Sequence, residues 1–363
     1  MLKVLKRIII GLLICAGIIA LVIGIFWLYF YLKDQEFKKY SGHGFAYMHG
    51  YSSTDLTGYN VYDGEKLVSL DHEPEFVIED EEEMPILDGA EACYPLYSAV
   101  AKTIYKDIDR IEKEIHDLQE SDIDWNDDRI KQVYTNGKIV TFTNSVHGYY
   151  RLIDGEVDLV FGARPSAAQK EEAINNNDEI ISTPIGKEAF VFFVEADNPV
   201  DELSSEQLRK IYSGEIRNWK ELGGKNQKII AFQRPEESGS QIVMNYFMGD
   251  VKLKEADTVE TIDGMLGVIR KVKQYRNENG AIGYTFRYFL EGLNQEEGVK
   301  MLKVDGVYPS VETIRDGSYP IVVDVVVSRM KNNDKENVDK VIDFVLSDDG
   351  QKIVEMTGYG PLK

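Results

Sequence analysis

Cysteine is scarce in this sequence: only two of its 363 residues are cysteines, Cys15 and Cys93. Cys15 lies in a long apolar block, so Cys93 is the single thiol in the rest of the chain. One thiol cannot form an internal disulfide, which excludes a small fold held together by disulfide bonds. Histidine is also scarce, with five residues. His43 and His49 lie in a polar segment and are interpreted as surface residues, so the sequence predicts no metal site.

The chain also lacks an excess of basic residues, since its formal net charge is −21. Such an acidic surface argues against binding to nucleic acid or to anionic lipid head groups. It does not exclude a small anion, because surface charges are screened within about 8 Å at physiological salt. A buried anion responds to the dipoles and guanidinium groups next to it rather than to the total charge.

A long run without any charge extends from Ile8 to Leu32. It has about 25 residues, enough to cross roughly 30 Å of hydrocarbon. Lys3 and Arg7 precede the run and aromatic residues end it, which favours a membrane anchor in residues 1–33 with a cytoplasmic N-terminus. A cleaved signal peptide would have a shorter apolar core and a small-x-small site. A lipoprotein anchored through Cys15 is a weaker alternative, because Ile14 stands where a small residue is expected.

The remaining chain divides into a polar segment, 34–83, interpreted as an extracytoplasmic stalk, and an apolar-patterned part from Met84 onward. In the second part, short apolar runs alternate with amphipathic helical patterns, which predicts an α/β fold with largely parallel sheets. Ligands of such folds bind at the carboxyl ends of strands, against helix N-termini. The predicted strands are 138–142, 157–163, 189–194, 228–232, 281–284 and 321–328.

Three junctions between a strand and a helix carry residues suited to an anion. At the first, Pro95 fits the first turn of a helix, and free amides near Cys93 and Tyr94 are expected to point outward. At the second, a strand ends near Thr143 and either Asn144 or Ser145 can cap the next helix.

The third junction has the richest set of donors. Arg234 follows a strand and offers a forked guanidinium, and Ser238-Gly239-Ser240 then opens a helix. Gly239 allows close backbone approach, the two serines supply hydroxyls, and the helix start supplies amides. We expect the three junctions to share one anion.

Six motifs follow one another along the chain: GARPS, FVFFVEADNPVDELSSEQLRKIYSGEIRNWKELGG, IIAFQRPEESGSQ, GAIGY, YPSVETIRDGSYPI and FVLSDDGQKIVEMTGYGPL. In this order they resemble the phosphate-binding protein family of the high-affinity phosphate ABC importer. The resemblance covers residues 84–363 and is most specific in the third motif, from the strand to Ser240.

The resemblance implies a two-lobe periplasmic-binding-protein fold that closes like a clamshell. It implies lobe one from residues 84–186 plus 300–363, and lobe two from residues 187–299. It places ligand-binding roles on Cys93, Tyr94, Ser145, Arg234, Ser238, Gly239 and Ser240. Some family members carry an aspartate that accepts the phosphate proton, but this chain has Ala163 followed by Arg164. Arg164 either faces the ligand or pairs with a carboxylate, and Glu91 or Asp88 is a conjectural replacement for the missing acceptor.

The leading hypothesis is therefore a membrane-anchored, extracytoplasmic receptor that binds inorganic phosphate or a similar oxyanion and presents it to ABC permease subunits. It requires no cofactor, and it has no catalytic residues. One alternative is a sensory module of the same fold that signals through the membrane helix. Another is a hydrolase using Ser238 or Ser240, although His147, near Ser145, is the only histidine placed to act as a base.

Overall fold

The computed structural model describes residues 2–41, 54–118, 135–234, 238–256, 280–295 and 297–362, with residues 132, 236, 268, 269 and 272 in addition. His43 and His49 lie outside these residues. The first helix, α1 (Leu2–Ser41), contains the predicted apolar block. Among the described residues it is the one helix long and apolar enough to cross a membrane, with a mean hydropathy of 2.6 over Leu13–Tyr31.

The predicted strands are found, with one exception. The segment 138–142 forms only an isolated bridge, between Leu87 and Val140. The strands in the described part of the chain are β1 (Leu87–Gly89), β2 (Leu159–Gly162), β3 (Ile180–Glu195), β4 (Glu202–Leu203), β5 (Ile229–Ala231), β6 (Gly280–Phe286), β7 (Val299–Met301), β8 (Lys303–Val304) and β9 (Val322–Met330).

Helices follow most strands, and several of them begin with a side-chain cap. Ser204 and Gln207 form a capping box at the start of α6 (Ser205–Ser213), which is followed by the left-handed Gly214. The α-helices after α1 whose bounds the structure describes are α2 (Tyr94–Ile104), α3 (Ile108–His116), α4 (Ser145–Ile153), α5 (Ala167–Asn175), α6 (Ser205–Ser213), α7 (Gly239–Met248), α8 (Val311–Arg315), α9 (Asn337–Leu346) and α10 (Asp348–Met356). A π-helix spans Tyr288–Asn294.

The strands form a mixed sheet in the order β1-β2-β9-β3-β6-β5, and β7 also pairs with β3. Only β1–β2 and β5–β6 in it are parallel. The prediction of largely parallel sheets is therefore wrong. The alternation of strands and helices did not show that β3 and β9 are long strands that run antiparallel to their neighbours.

Two large apolar clusters define two lobes. Lobe one packs α2, β1, β2, α9 and α10 around residues such as Leu96 and Val341. Lobe two packs β5, β6, α6 and α7 around Phe192 and Trp219. Residues from Met301 to Ile321 also belong to the second cluster. The sequence analysis predicts residues 300–363 as part of lobe one. β7 pairs with β3 and β8 pairs with β4, which places these two strands beside the second cluster.

The chain passes between the lobes in two adjacent strands. β3 pairs with β9 up to Ala189↔Val322 and then with β6 from Phe190↔Phe286. At this crossing, Glu188 is buried and accepts hydrogen bonds from the amides of Ala189 (2.8 Å) and Tyr288 (3.1 Å). Burial raises the pKa of Glu188 to about 7, against the lowering effect of the nearby Arg287. The crossing is thus held by a polar group as well as by strand pairing.

Of the predicted stalk, 34–83, the structure describes 34–41, where α1 continues beyond the predicted anchor, and 54–83, which packs against lobe one. Val61 and Ile78 are buried in its core. The amide of Ile78 donates to the carbonyl of Ile104 at 2.8 Å. His72 fixes the segment from outside, since its Nδ1 lies 3.0 Å from Asp71 and its Nε2 lies 3.1 Å from Asp349 on α10.

These two carboxylates should make the attachment of this segment sensitive to pH. The hydrogen bond to Asp71, and to a smaller extent the one to Asp349, raises the pKa of His72. The folded chain therefore holds the imidazole proton more tightly than the unfolded chain. The stabilisation is present below the ordinary histidine pKa and is lost as the pH rises through the raised value. We expect His72→Gln to lower Tm at about pH 6 and to change it little at about pH 9. A difference in Tm that is the same at both pH values would contradict this.

A second buried carboxylate, Glu112 on α3, holds the loop before the Val140 bridge. It accepts the amides of Lys138 (2.9 Å), Ile139 (2.7 Å) and Val140 (2.7 Å). Glu112→Gln replaces one acceptor by a donor that faces these amides, so we expect the free energy of unfolding to fall by about 1–3 kcal/mol. Urea denaturation measures it, and an unchanged midpoint would refute the role.

Candidate functional site

The second junction places Ser145 at the start of α4. Of the two candidate caps, Asn144 is the one used: its Oδ1 accepts the amides of Val146 (2.9 Å) and His147 (3.1 Å). Asn144 has a φ of 136°, a conformation that is costly for a residue with a side chain. Because Asn144 performs the capping, the hydroxyl of Ser145 stays outside the cap.

The third junction runs from β5 to α7 and forms as predicted. Ser238 caps α7 by accepting the amide of Gln241 at 3.4 Å, and the helix begins at Gly239. Ser238, Gly239 and Ser240 are all buried. Two serine hydroxyls and the amides of the first helical turn are therefore gathered at one helix entrance.

The second and third junctions, from different lobes, meet directly. A Cβ atom on Gly239 would lie 3.4 Å from Oγ of Ser145 and 3.3 Å from Cβ of Ala163. The starts of α4 and α7 therefore lie next to one another, where the two lobes meet. Each helix start carries a partial positive charge, so together they favour an anion between them.

Arg234 is held beside this contact through its backbone. Its amide donates to Oε1 of Gln241 (2.9 Å) and to the hydroxyl of Tyr284 (3.0 Å), and that hydroxyl also donates to Gln241. The Nε and Nη1 atoms of Arg234 are buried. Sequence reasoning missed Gln241 and Tyr284. Their positions inside the SGSQ and GAIGY motifs were the available signal.

The first junction differs from the prediction. The chain forms a short 3-10 turn over Glu91–Cys93, in which the amides of Cys93 and Tyr94 donate to the carbonyls of Ala90 and Glu91. The expectation of free amides there is wrong, because the turn uses them. The thiol of Cys93 is buried beside the hydroxyl of Tyr359 (3.7 Å), and burial raises its pKa to about 12.

The side chain of Tyr94 is engaged as well, since its hydroxyl donates to Oδ1 of Asn60 at 3.0 Å. Both side chains of this junction therefore have partners within lobe one. Pro95 does lie in the first turn of α2, as predicted.

Arg164 forms an ion pair with Asp324 on β9, with 2.8 Å between Nη2 and Oδ2. Of the two roles considered for it, the structure has the pairing with a carboxylate, on a side chain that is about half exposed. Asp88, suggested as a replacement proton acceptor, is fully buried and accepts donors from Gly89, Thr143 and Arg151. The carboxylate of Asp88 therefore bonds to residues of lobe one. Glu91, the other suggestion, lies half-buried in the 3-10 turn.

Comparisons with known proteins agree with this architecture. A family model described as PBP superfamily domain matches residues 123–349. The phosphate-binding protein PstS of Bacillus subtilis is 29% identical over 218 residues, which are 59% of this chain and 68% of that protein. The phosphate-binding protein PstS of Borreliella burgdorferi is 28% identical over 187 residues, 50% of this chain and 66% of that protein.

Solved structures share the fold. One from Clostridium perfringens, described as a phosphate ABC transporter substrate-binding protein with bound phosphate, has a TM-score of 0.56 at 23% identity and covers 77% of this chain and 99% of its own. An ABC-type phosphate transport receptor from Vibrio cholerae has a TM-score of 0.50 at 17% identity and covers 76% of this chain and 98% of its own. The predicted two-lobe fold and the resemblance to phosphate-binding proteins are confirmed. Because the matching family model covers more than half of its length, the chain belongs to the PBP superfamily.

Proposed function

We propose that this chain is an extracytoplasmic receptor that binds inorganic phosphate between its lobes and delivers it to ABC permease subunits. The observation that carries the proposal is the contact of Gly239 with Ser145, which brings helix starts of both lobes together. The phosphate-binding proteins to which the chain is similar support phosphate as the anion.

In this proposal the anion is held by hydrogen bonds and by one positive side chain. Ser145 supplies a hydroxyl from lobe one, and Ser238 and Ser240 supply hydroxyls from lobe two. The amides at the starts of α4 and α7 complete the donors, and the guanidinium of Arg234 binds two oxygens of the anion. No covalent step takes place, and no cofactor is needed. Cys93 and Tyr94, whose side chains have other partners, are not assigned to the anion.

The acidic surface does not oppose this function. The formal charge of −21 is spread over the whole chain and is screened by salt. The anion site itself consists of uncharged donors and a guanidinium, and its helix starts direct positive partial charge inward.

We further propose that α1 anchors the receptor in the cell membrane, with the N-terminus in the cytoplasm and the lobes outside. The exposed apolar run Leu13–Tyr31 and the basic residues before it support this arrangement. An anchor would hold the receptor near its permease and raise the effective concentration of one for the other.

Calorimetric titration of the full chain in detergent micelles tests the function. We expect saturable binding of phosphate and of its close analogue arsenate. Failure of phosphate to bind would overturn the proposal, and tighter binding of sulfate or molybdate would overturn the choice of anion.

A further inference from the structure

Asp88, near the end of β1, connects two of the three junctions through one buried carboxylate. It is 0% exposed. Its Oδ1 accepts the amides of Gly89 (2.7 Å) and Thr143 (2.9 Å), and its Oδ2 accepts the hydroxyl of Thr143 (2.7 Å). Gly89 leads into the first junction and Thr143 into the second. The carboxylate therefore fixes both loops relative to each other.

Arg151 on α4 completes this arrangement from the helix side. Its Nη1 donates to Oδ2 of Asp88 and also to the hydroxyl of Thr141, at 2.9 Å. Arg151 is buried, so the ion pair is shielded from solvent. The pair neutralises the charge of Asp88, and the carboxylate does not repel an anion held nearby. α4 is close to Asp88, since a Cβ on Gly148 would lie 3.7 Å from its carboxyl carbon.

The residue after Thr143 is the strained Asn144, and the next is Ser145. A non-glycine residue keeps a φ of 136° only where its surroundings determine it fully. The bonds from Thr143 to Asp88 fix the chain just before the strained residue, and the cap on Val146 and His147 fixes it just after. The orientation of Ser145 toward Gly239 follows from this double attachment.

We propose that Asp88, paired with Arg151, is a positioning residue of the anion site: it sets the place of Ser145 and of the start of α4 without touching the ligand. The inference rests on the proposed function for its ligand. Its structural part, the control of residues 143–148 by Asp88, can be measured without any ligand.

Calorimetry with inorganic phosphate, on the full chain in micelles, compares the wild type with Asp88→Asn. Since small displacements of binding groups are costly, we expect Kd to rise roughly tenfold or more. Glu112→Gln is the matched control, because Glu112 is also a buried carboxylate of lobe one and accepts hydrogen bonds from three amides. This variant should bind phosphate with the Kd of the wild type. An unchanged Kd for Asp88→Asn, or an equal rise for the control, would overturn the proposal.

Thr143→Val provides a milder variant in case Asp88→Asn does not fold. It removes the hydroxyl bond to Asp88 and keeps the amide bond, so Kd should rise by a smaller factor of about three to ten. A Thr143→Val protein that binds phosphate like the wild type overturns the inference.

A double-mutant cycle separates positioning from general loss of stability. If Asp88 acts through Ser145, then Asp88→Asn should weaken binding much less in a Ser145→Ala background than in the wild type. Equal effects in both backgrounds would show that Asp88 acts elsewhere.

Amide exchange of the ligand-free protein gives a readout independent of the anion. Asp88→Asn should speed exchange at residues 143–148 and leave residues 138–140, held by Glu112, unchanged. Unchanged exchange at 143–148 overturns the positioning role. If the wild type does not bind phosphate, the proposed function is wrong. The amide-exchange rates at 143–148 then still test whether Asp88 positions this segment.

Discussion

Replacing Arg234 by alanine should reduce phosphate affinity roughly a hundredfold or more, because two charge-assisted hydrogen bonds to the anion are lost together. The hydrogen bonds from the backbone amide of Arg234 to Gln241 and Tyr284 remain possible in the variant, so we expect the protein to stay folded. Calorimetry gives the affinity and thermal unfolding gives the stability. Arg234→Lys keeps the charge but loses the fork, so it should recover only part of the binding.

Arg217→Ala is the matched control for this arginine. The carbonyl of Arg217 accepts a hydrogen bond from the amide of Ile229, the first residue of β5. Arg234 follows the last residue of β5, so the two arginines lie at opposite ends of the strand. Loss of Arg217 should therefore leave phosphate binding intact. If Arg234→Ala binds phosphate with wild-type affinity, the anion does not lie at the third junction.

Gly239→Val should weaken phosphate binding to a similar degree, but by a steric route. A Cβ at this position already lies 3.3 Å from Ala163 and 3.4 Å from the Ser145 hydroxyl, and the additional methyl groups of valine need space that these residues occupy. The lobes would be held apart, so the donors of α4 and α7 could no longer reach the same anion. We expect a loss of affinity of about a hundredfold and a larger radius of gyration in small-angle X-ray scattering with phosphate present.

A compensating pair tests the steric explanation. Gly239→Ala should weaken binding moderately even though alanine favours the helix more than glycine does. Adding Ala163→Gly removes the opposing Cβ and should restore most of the affinity. If Ala163→Gly gives no recovery, or if Gly239→Val binds phosphate normally, the contact does not limit closure.

The fold was predictable to the extent that it depends on local patterns. The apolar runs located most strands, and Ser238-Gly239-Ser240 located the start of α7 correctly. The directions of the strands were not predictable, because β3 and β9 pair over a long separation in sequence that periodicity does not report. The packing of residues 54–83 on lobe one was missed for a related reason: Val61 and the short run from Phe76 to Ile78 are brief apolar stretches in a polar segment, with neither helical nor strand periodicity.

The candidate site shows the same division. The Ser238-Gly239-Ser240 cap follows from local chemistry and was predicted. The closeness of Ser145 to Gly239 was expected from the shared chemistry of the junctions and from the resemblance to a family, but no local pattern reports it, since the two residues belong to different lobes. The amides of Cys93 and Tyr94 were wrongly predicted to be free, because the spacing of hydrophobic residues does not reveal a 3-10 turn before α2. The role of Asp88 depends on partners 55 and 63 positions away, which no short motif contains.

The passage of the chain through β3 and β9 has a consequence for biosynthesis. Apart from Ala92, the described core residues of lobe two lie between Ala189 and Ile321, whereas lobe one needs β9, α9 and α10, which follow that stretch in the sequence. Lobe two can therefore complete its core before the segments that complete lobe one have been synthesised and exported. Until then, the apolar strand β2 of lobe one lacks its partner β9.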